Sequence, residues 1–159
     1  MAEATRSQKS TFLPPRWFMR SFWAVQRAVY SITGGRLGLR RATDDRWGMM
    51  RLRTVGRRTG HERTAILGYF EDGADLVTMA TNGWADAEPA WWLNLQAHPD
   101  TLVDLPGGTC AVHAHAADED ERPRLWARWA EYDKGFDLDA LAARRSFETA
   151  VVILSPRPE

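Results

Sequence analysis

The sequence predicts a mainly β (α+β) fold, an antiparallel barrel with helices at its rim and an amphipathic helix in front of it. Short segments of strand-like composition are separated by turn signals such as Asp72-Gly73 or ended by breaks such as Asn82-Gly83, which favours consecutive antiparallel strands. Helical segments are few and do not alternate with the strands, as they would in a parallel βαβ fold. A chain of 159 residues, of which 44% are hydrophobic, is large enough to form one such core.

Residues 1–46 are predicted to form an N-terminal part, separate from a barrel domain at 47–159. A helix is expected over 16–33, because apolar residues recur there at steps of three and four. Gly34-Gly35 ends this helix, and a basic connector completes the N-terminal part. The apolar face of the helix consists of Phe18, Phe22, Val25, Val29 and Ile32.

The barrel domain contains the remaining predicted elements. Alternating or β-branched segments predict strands at 48–55, 62–70, 75–81, 101–105, 109–117 and 149–154. Helical spacing predicts helices at 90–97, 118–132 and 138–145. Asp118 is the expected N-cap of the second of these helices, since aspartate readily accepts hydrogen bonds from the first free backbone N–H groups.

Charge is distributed unevenly, although Lys+Arg and Asp+Glu both number 21. Residues 1–63 carry 14 of the basic residues and four acidic ones, which leaves 7 basic and 17 acidic residues in the remainder. This asymmetry predicts that the N-terminal part meets an anion. A phosphate, an acidic cofactor tail, a lipid surface and a nucleic acid all remain open at this point.

Several classes of protein and site are not supported by the sequence. The single cysteine, Cys110, allows neither an internal disulfide nor a cysteine metal site, and a cytoplasmic location is expected. No continuous apolar run is long enough to span a bilayer. His113 and His115 share one strand face, but no third ligand accompanies them, so we predict no metal. Phosphate-binding motifs of the Rossmann and P-loop types are absent.

The segment from Thr54 to Thr64 is the most informative one for function. Its glycines let the backbone approach a ligand closely, and the N–H groups of such a turn can form an anion-binding nest. Arg58 and Arg63 can bind a phosphate through paired hydrogen bonds, and Thr59 can donate another. The alternative interpretation is a solvated basic hairpin tip.

Two further segments point to a flat ligand. Small polar residues at 80–83 follow a strand and leave room for a planar ring, although an ordinary turn has the same composition. Trp91, Asn94 and Leu95 share one face of the predicted helix 90–97. Trp91 can stack on a ring or pack in the core, and spacing alone leaves both interpretations open.

Taken together and in this order, these segments resemble the deazaflavin (F420)-dependent nitroreductase family. The resemblance covers 49–156, roughly two-thirds of the 159 residues. It is carried by Thr54-Val-Gly-Arg-Arg-Thr-Gly-His-Glu-Arg63, Leu67-Gly-Tyr-Phe-Glu-Asp-Gly73, Ala80-Thr-Asn-Gly83, Pro89-Ala-Trp-Trp-Leu-Asn-Leu-Gln-Ala-His-Pro99 and Val151-Val-Ile-Leu-Ser-Pro156. The resemblance implies a six-stranded antiparallel split β-barrel of the FMN-binding split-barrel type, with coenzyme F420 in a groove.

The resemblance also implies residue roles. Residues that hold the phosphate and acidic tail would be Arg58, Thr59, Gly60 and Arg63. Residues that line the deazaflavin ring would be Ala65, Ile66, Thr81, Asn82 and Gly83. Residues contributed by the closing helix would be Trp91 and Asn94. Family members often carry several tyrosines after the long helix, whereas this chain has Tyr132 as its candidate proton donor.

The implied function is an F420H2-dependent oxidoreductase that passes a hydride from the reduced deazaflavin to an apolar acceptor, such as a quinone, an enone or a nitroaromatic. The alternatives left open are an FMN- or haem-binding split barrel and a non-catalytic F420 binder or carrier. No nucleic-acid partner is expected. The helix at 16–33 either contacts an anionic membrane or packs on protein, so membrane association and a monomer or homodimer stay open.

Overall fold

The computed structural model describes residues 38–158, so the predicted helix at 16–33 lies outside the described residues. The strands are β1 Gly48–Val55, β2 Glu62–Asp72, β3 Asp75–Met79, β4 Asp100–Leu105, β5 Gly108–Ala116 and β6 Val151–Pro156. The helices are α1 Ala90–Ala97, α2 Arg122–Tyr132 and α3 Leu138–Ala142. In residues 38–158, no helix combines the length and apolar character needed to span a membrane.

The strands close into an antiparallel barrel in the order β1-β2-β3-β6-β5-β4, which confirms the predicted fold class. Alternation along the strands sorts the side chains between the inside and the outside. In the β1–β2 hairpin, Leu52 pairs with Ala65 and Thr54 pairs with Arg63. Because paired residues share a face and Leu52 belongs to the interior cluster, Thr54, Arg63 and Ala65 face inward.

Two apolar clusters lie on opposite faces of the sheet. The interior cluster fills the barrel around Met50, Leu52 and Tyr69, all at most 1% exposed. The outer cluster lies between the sheet and α2 and includes Phe70 and Leu125. Partly buried aromatic side chains pack against the outer cluster: Trp47, Trp84, Trp126, Trp129 and Tyr132.

Several predicted boundaries are corrected by the structure. The predicted strand 75–81 ends at Met79, because the chain then turns through positive φ angles of 47° at Asn82, 62° at Gly83 and 62° at Trp84. Strand β2 continues to Asp72 rather than ending at residue 70, since it still pairs with β3 there. The final strand occupies 151–156 rather than 149–154, where it pairs with β3 and β5.

The predicted helix at 118–132 begins later than expected. The carboxylate of Asp118 accepts hydrogen bonds from the N–H groups of Asp120 and Glu121, at 2.9 and 2.8 Å. Asp118 therefore caps a turn, and α2 begins after it at Arg122. The predicted helix at 138–145 ends at Ala142, because Arg144 and Arg145 bond to carbonyls three residues back in a tight turn.

The barrel closes where β1 meets β4 through the residue pairs Arg51↔Asp104 and Leu52↔Val103. On the outer face, Asp104 accepts hydrogen bonds from Arg51 at 2.6 Å, from Arg53 at 2.8 Å and from Thr109 at 2.8 Å. Burial on its own raises the pKa of Asp104, but the bonds from Arg53, Thr109 and Arg51 outweigh it and hold the pKa below its usual range.

Substituting Asp104→Asn is expected to lower the free energy of unfolding at pH 7 by about 1–3 kcal/mol, because two arginines lose their shared carboxylate. A folded-state pKa below the unfolded value of about 3.9 stabilises the fold above that pH, and the stabilisation is lost as the pH falls through the folded pKa. Urea unfolding at several pH values measures this. If the difference in the free energy of unfolding between wild type and variant were the same at pH 7 and at pH 3, the prediction would be wrong.

Candidate functional site

A cavity of about 380 Å³ lies between the β1–β2 hairpin and α1, at one end of the barrel. This volume falls within the range of small-molecule sites in proteins. The residues that line it are Thr54, Gly56, Arg57, Arg58, Thr59, Arg63, Thr64, Ala65, Ala90, Trp91 and Asn94. The cavity therefore joins the basic hairpin tip to the helix that carries Trp91.

The hairpin turn has a defined backbone. The N–H of Gly56 donates to the carbonyl of His61, and the N–H of Gly60 donates to the carbonyl of Gly56, both at 2.8 Å. Gly60 has a φ of 71°, which favours glycine. A Cβ on Gly56 would lie 2.9 Å from Thr59 Oγ1, so a side chain there would displace the turn. The two glycines thus allow the compact turn that the sequence predicted.

The turn presents uncompensated positive charge to the cavity. Among residues 38–158, the exposed guanidinium groups of Arg57, Arg58 and Arg63 form no ion pair. In the same part of the chain, no acceptor binds the backbone N–H of Arg58 or Thr59. Free N–H donors and arginines on one turn form the type of nest that binds a phosphate or carboxylate.

Asn94 connects α1 to this turn. Its Oδ1 accepts a hydrogen bond from the N–H of Arg57, and its Nδ2 donates to Thr54 Oγ1, both at 3.1 Å. The Thr54 hydroxyl in turn donates to the carbonyl of Arg63 at 3.5 Å. Asn94 is 4% exposed and Thr54 is 2% exposed, so the hydrogen bond between them is buried at this end of the barrel.

Many residues predicted for the cofactor site do line the cavity: Arg58, Thr59, Arg63, Ala65, Trp91 and Asn94. Trp91 also packs against the interior cluster, so its two proposed roles are compatible. Gly60 supports the turn without lining the cavity. Ile66, which pairs with Arg51 further along the hairpin, does not line it either.

Thr81, Asn82 and Gly83 form a separate turn and do not line this cavity. Asn82 and Trp84 hold left-handed φ angles without being glycine, a strained arrangement that surrounding contacts must maintain. The Asn82 side chain donates from Nδ2 to the carbonyl of Ala87 at 3.0 Å. The turn is thus part of a structured loop at 80–88.

Arg145 maintains this loop. It is 6% exposed, and its guanidinium donates to the carbonyls of Ala80, Ala85 and Ala87, each at 2.9 Å. It also donates to Thr149 Oγ1 at 2.8 Å. Burial lowers the pKa of Arg145, and the charge of Glu88 opposes that shift.

Tyr132 lies away from the cavity. Its hydroxyl donates to the carbonyl of Thr43 at 2.9 Å, and its ring stacks on Trp47 and Phe70 at centroid distances of 4.7 and 5.7 Å. It belongs to the surroundings of the outer cluster. The structure therefore does not bring Tyr132 together with the predicted cofactor residues.

Some residues of the cavity wall belong to the informative segments but had no individual role predicted: Thr54, Gly56, Arg57, Thr64 and Ala90. Alternation along β1 could have identified Thr54, a polar residue at an inward position. His113 and His115 are exposed on β5 with ring centroids 6.5 Å apart, as their alternation predicted. His113 Nδ1 lies 2.7 Å from Asp100 Oδ1.

A closed six-stranded barrel with a basic, tryptophan-lined cavity at one end defines a cofactor-binding split-barrel protein. The family model described as F420H(2)-dependent quinone reductase matches residues 21–156. The chain belongs to this F420H(2)-dependent quinone reductase family, which confirms the resemblance, the enzyme class and the cofactor predicted from the sequence.

Individual relatives agree with this assignment. The F420H(2)-dependent quinone reductase Rv1261c of Mycobacterium tuberculosis is 31% identical over 117 residues, which cover 70% of this chain and 77% of that protein. Rv3178 of the same organism, which carries that name provisionally, is 32% identical over 101 residues, covering 64% of this chain and 83% of that protein.

Two solved structures share the fold. An F420-H2 dependent reductase named FDR-A superposes with a TM-score of 0.59 at 19% identity, covering 67% of this chain and 93% of that one. A structure described as a domain-swapped dimer superposes with a TM-score of 0.61 at 17% identity, covering 86% of this chain and 99% of that one.

Proposed function

We propose that this chain is an F420H2-dependent reductase that transfers a hydride to an apolar organic acceptor of the quinone class, with enones and nitroaromatics as further acceptors. The observation that carries the proposal is the cavity at the barrel end, where three arginines and two backbone N–H groups that have no partner within residues 38–158 adjoin Trp91. A ligand with an acidic tail and a flat ring has the chemistry that this wall complements.

The residues at the cavity fit such a cofactor. Arg58, Arg63 and the N–H groups at Arg58 and Thr59 would bind the phosphate and the acidic tail. Arg57 adds a third positive charge at the rim. The inward face at Ala65 and the indole of Trp91 offer apolar surface for the ring. When bound, the reduced cofactor supplies the hydride, and the protein supplies position and electrostatics.

Some residues with predicted roles do not line the cavity. Thr81, Asn82 and Gly83 remain proposed ring contacts, and the shape of their loop is set by Arg145. Tyr132 has its hydroxyl bonded to the Thr43 carbonyl, so solvent is the better proposed source of the proton. A cytoplasmic location also belongs to the proposal, and a single cysteine fits such a reducing compartment.

The state of assembly and any membrane contact stay predictions. Residues 16–33 lie outside the described part of the chain, so their contact with a membrane or a second subunit awaits measurement. The domain-swapped dimer among the structural relatives supports the homodimer over the monomer. Light scattering of the full chain, with and without anionic vesicles, separates these states.

The function is tested by titrating the purified protein with F420 and with FMN, and then supplying menadione to the F420H2 complex. We expect F420 to bind more tightly than FMN, because its tail carries additional carboxylates that could pair with the arginines. We also expect oxidation of F420H2 only when both protein and menadione are present. Tighter FMN binding would favour the FMN alternative, and F420 binding without oxidation would favour a carrier.

A further inference from the structure

The side-chain amide of Asn94 is hydrogen-bonded to the basic hairpin through both its oxygen and its nitrogen. The Oδ1 accepts from the N–H of Arg57 after β1, and the Nδ2 donates to Thr54 Oγ1 within β1. Through the Thr54 hydroxyl, the chain of hydrogen bonds reaches the carbonyl of Arg63 in β2. Asn94 is 4% exposed, so water does not replace these partners readily.

Both ends of the Asn94 amide already have a partner in the hairpin, which occupies two of its four hydrogen-bonding positions. Its oxygen is held by a backbone donor, and its nitrogen is held by a hydroxyl. The neighbouring N–H groups of Arg58 and Thr59, by contrast, have no acceptor within residues 38–158. The bond to the Arg57 N–H therefore orients the turn while the next two donors stay available to an anion.

We propose that Asn94 is a positioning residue that holds the 56–59 turn in its anion-binding shape, and that it does so through Arg57 and Thr54 rather than by contacting the anion. The anion-binding part of this inference rests on the proposed function. Residues 57–59 of the turn are exposed, and within residues 38–158 the other bonds of the turn are internal to residues 56–61.

The first test uses the protein without cofactor. Substituting Asn94→Ala should lower the hydrogen-exchange protection of the Arg57 amide by about tenfold or more, because that N–H loses its acceptor. Thr78→Val is the matched control, since Thr78 is 1% exposed and donates a buried bond to Gly68 on another part of the barrel. The control should leave the protection of the Arg57 amide unchanged.

The second test compares two ligands. Asn94→Ala should weaken the binding of F420 by about tenfold. The binding of the deazaflavin nucleoside, which lacks the phosphate and glutamates, should not change. Thr54→Val should weaken F420 less, and the double variant should bind no more weakly than Asn94→Ala alone, because both residues act in one chain of hydrogen bonds. The Thr78→Val control should bind both ligands as the wild type does.

The outcomes separate the two proposals. Unchanged protection of the Arg57 amide in Asn94→Ala overturns the positioning role, and if F420 binding still falls, Asn94 contacts the ligand directly. An equal loss for F420 and the nucleoside also overturns it, since the effect would not concern the phosphate. If the wild type binds no F420, the proposed function fails, and amide exchange alone decides whether Asn94 orders the turn.

Discussion

Replacing Arg58 and Arg63 together by alanine is expected to weaken F420 binding by about two orders of magnitude or more. Each arginine offers charge-assisted hydrogen bonds worth about 1.5–3 kcal/mol, and neither has a competing carboxylate within the described residues. Titration of the variant with F420 at low and moderate salt measures the effect. The wild type should also show a stronger dependence on salt than the variant.

The matched control is the double variant Arg41→Ala with Arg144→Ala, which removes the same charge from exposed positions that do not line the cavity. It should retain F420 affinity within about threefold, since distant exposed charges are screened. Should the two double variants lose affinity equally, the effect would come from overall charge. Unchanged affinity in the Arg58/Arg63 variant would make these arginines surface groups without a role in binding.

Substituting Arg145→Met is expected to lower the free energy of unfolding by about 3 kcal/mol or more. The change keeps much of the apolar volume but removes the donors to Ala80, Ala85, Ala87 and Thr149. Without these bonds, the left-handed angles at 82–84 lose their buried guanidinium anchor and keep only contacts such as the packing of Trp84 on the outer cluster. Chemical unfolding gives the energy, and limited proteolysis reports on the loop at 80–88.

Arg144→Met provides the comparison, because Arg144 is the exposed neighbour of Arg145 in sequence. Its substitution should change the free energy of unfolding by no more than about 0.5 kcal/mol. A loss below about 1 kcal/mol in Arg145→Met, with proteolysis at 80–88 as in the wild type, would show that other contacts hold the loop.

The barrel was predictable because its signals are local. Strand β1 and helix α1 occupy the predicted residues, since alternation and helical spacing extend over their whole lengths. Hairpin signals at Gly56–Gly60 and Gly73 likewise mark turns that the structure contains. The basic part of the cavity wall was predictable for the same reason, because Arg58, Thr59 and Arg63 lie within one hairpin.

What the sequence did not reveal depends on contacts between distant residues. An arginine is usually a surface residue. Arg145 can be buried because it donates to carbonyls that lie about 60 residues away in sequence. The left-handed φ of Trp84 has no local signal, because tryptophan rarely adopts that conformation. Asn94 was correctly placed at the cavity, but its bonds to Thr54 and Arg57 required the folded barrel.

Arg145 contacts the loop at 80–88 through main-chain oxygens. These contacts do not depend on the side chains of the residues that supply the oxygens. The carbonyls at 80, 85 and 87 exist whatever amino acid occupies those positions. Substitutions at Ala85 or Ala87 therefore leave the acceptors of Arg145 in place, whereas a change at Asn82 removes the bond from its side chain to the Ala87 carbonyl. Variation at positions 85 and 87, over evolution or in a directed library, is thus compatible with this anchoring.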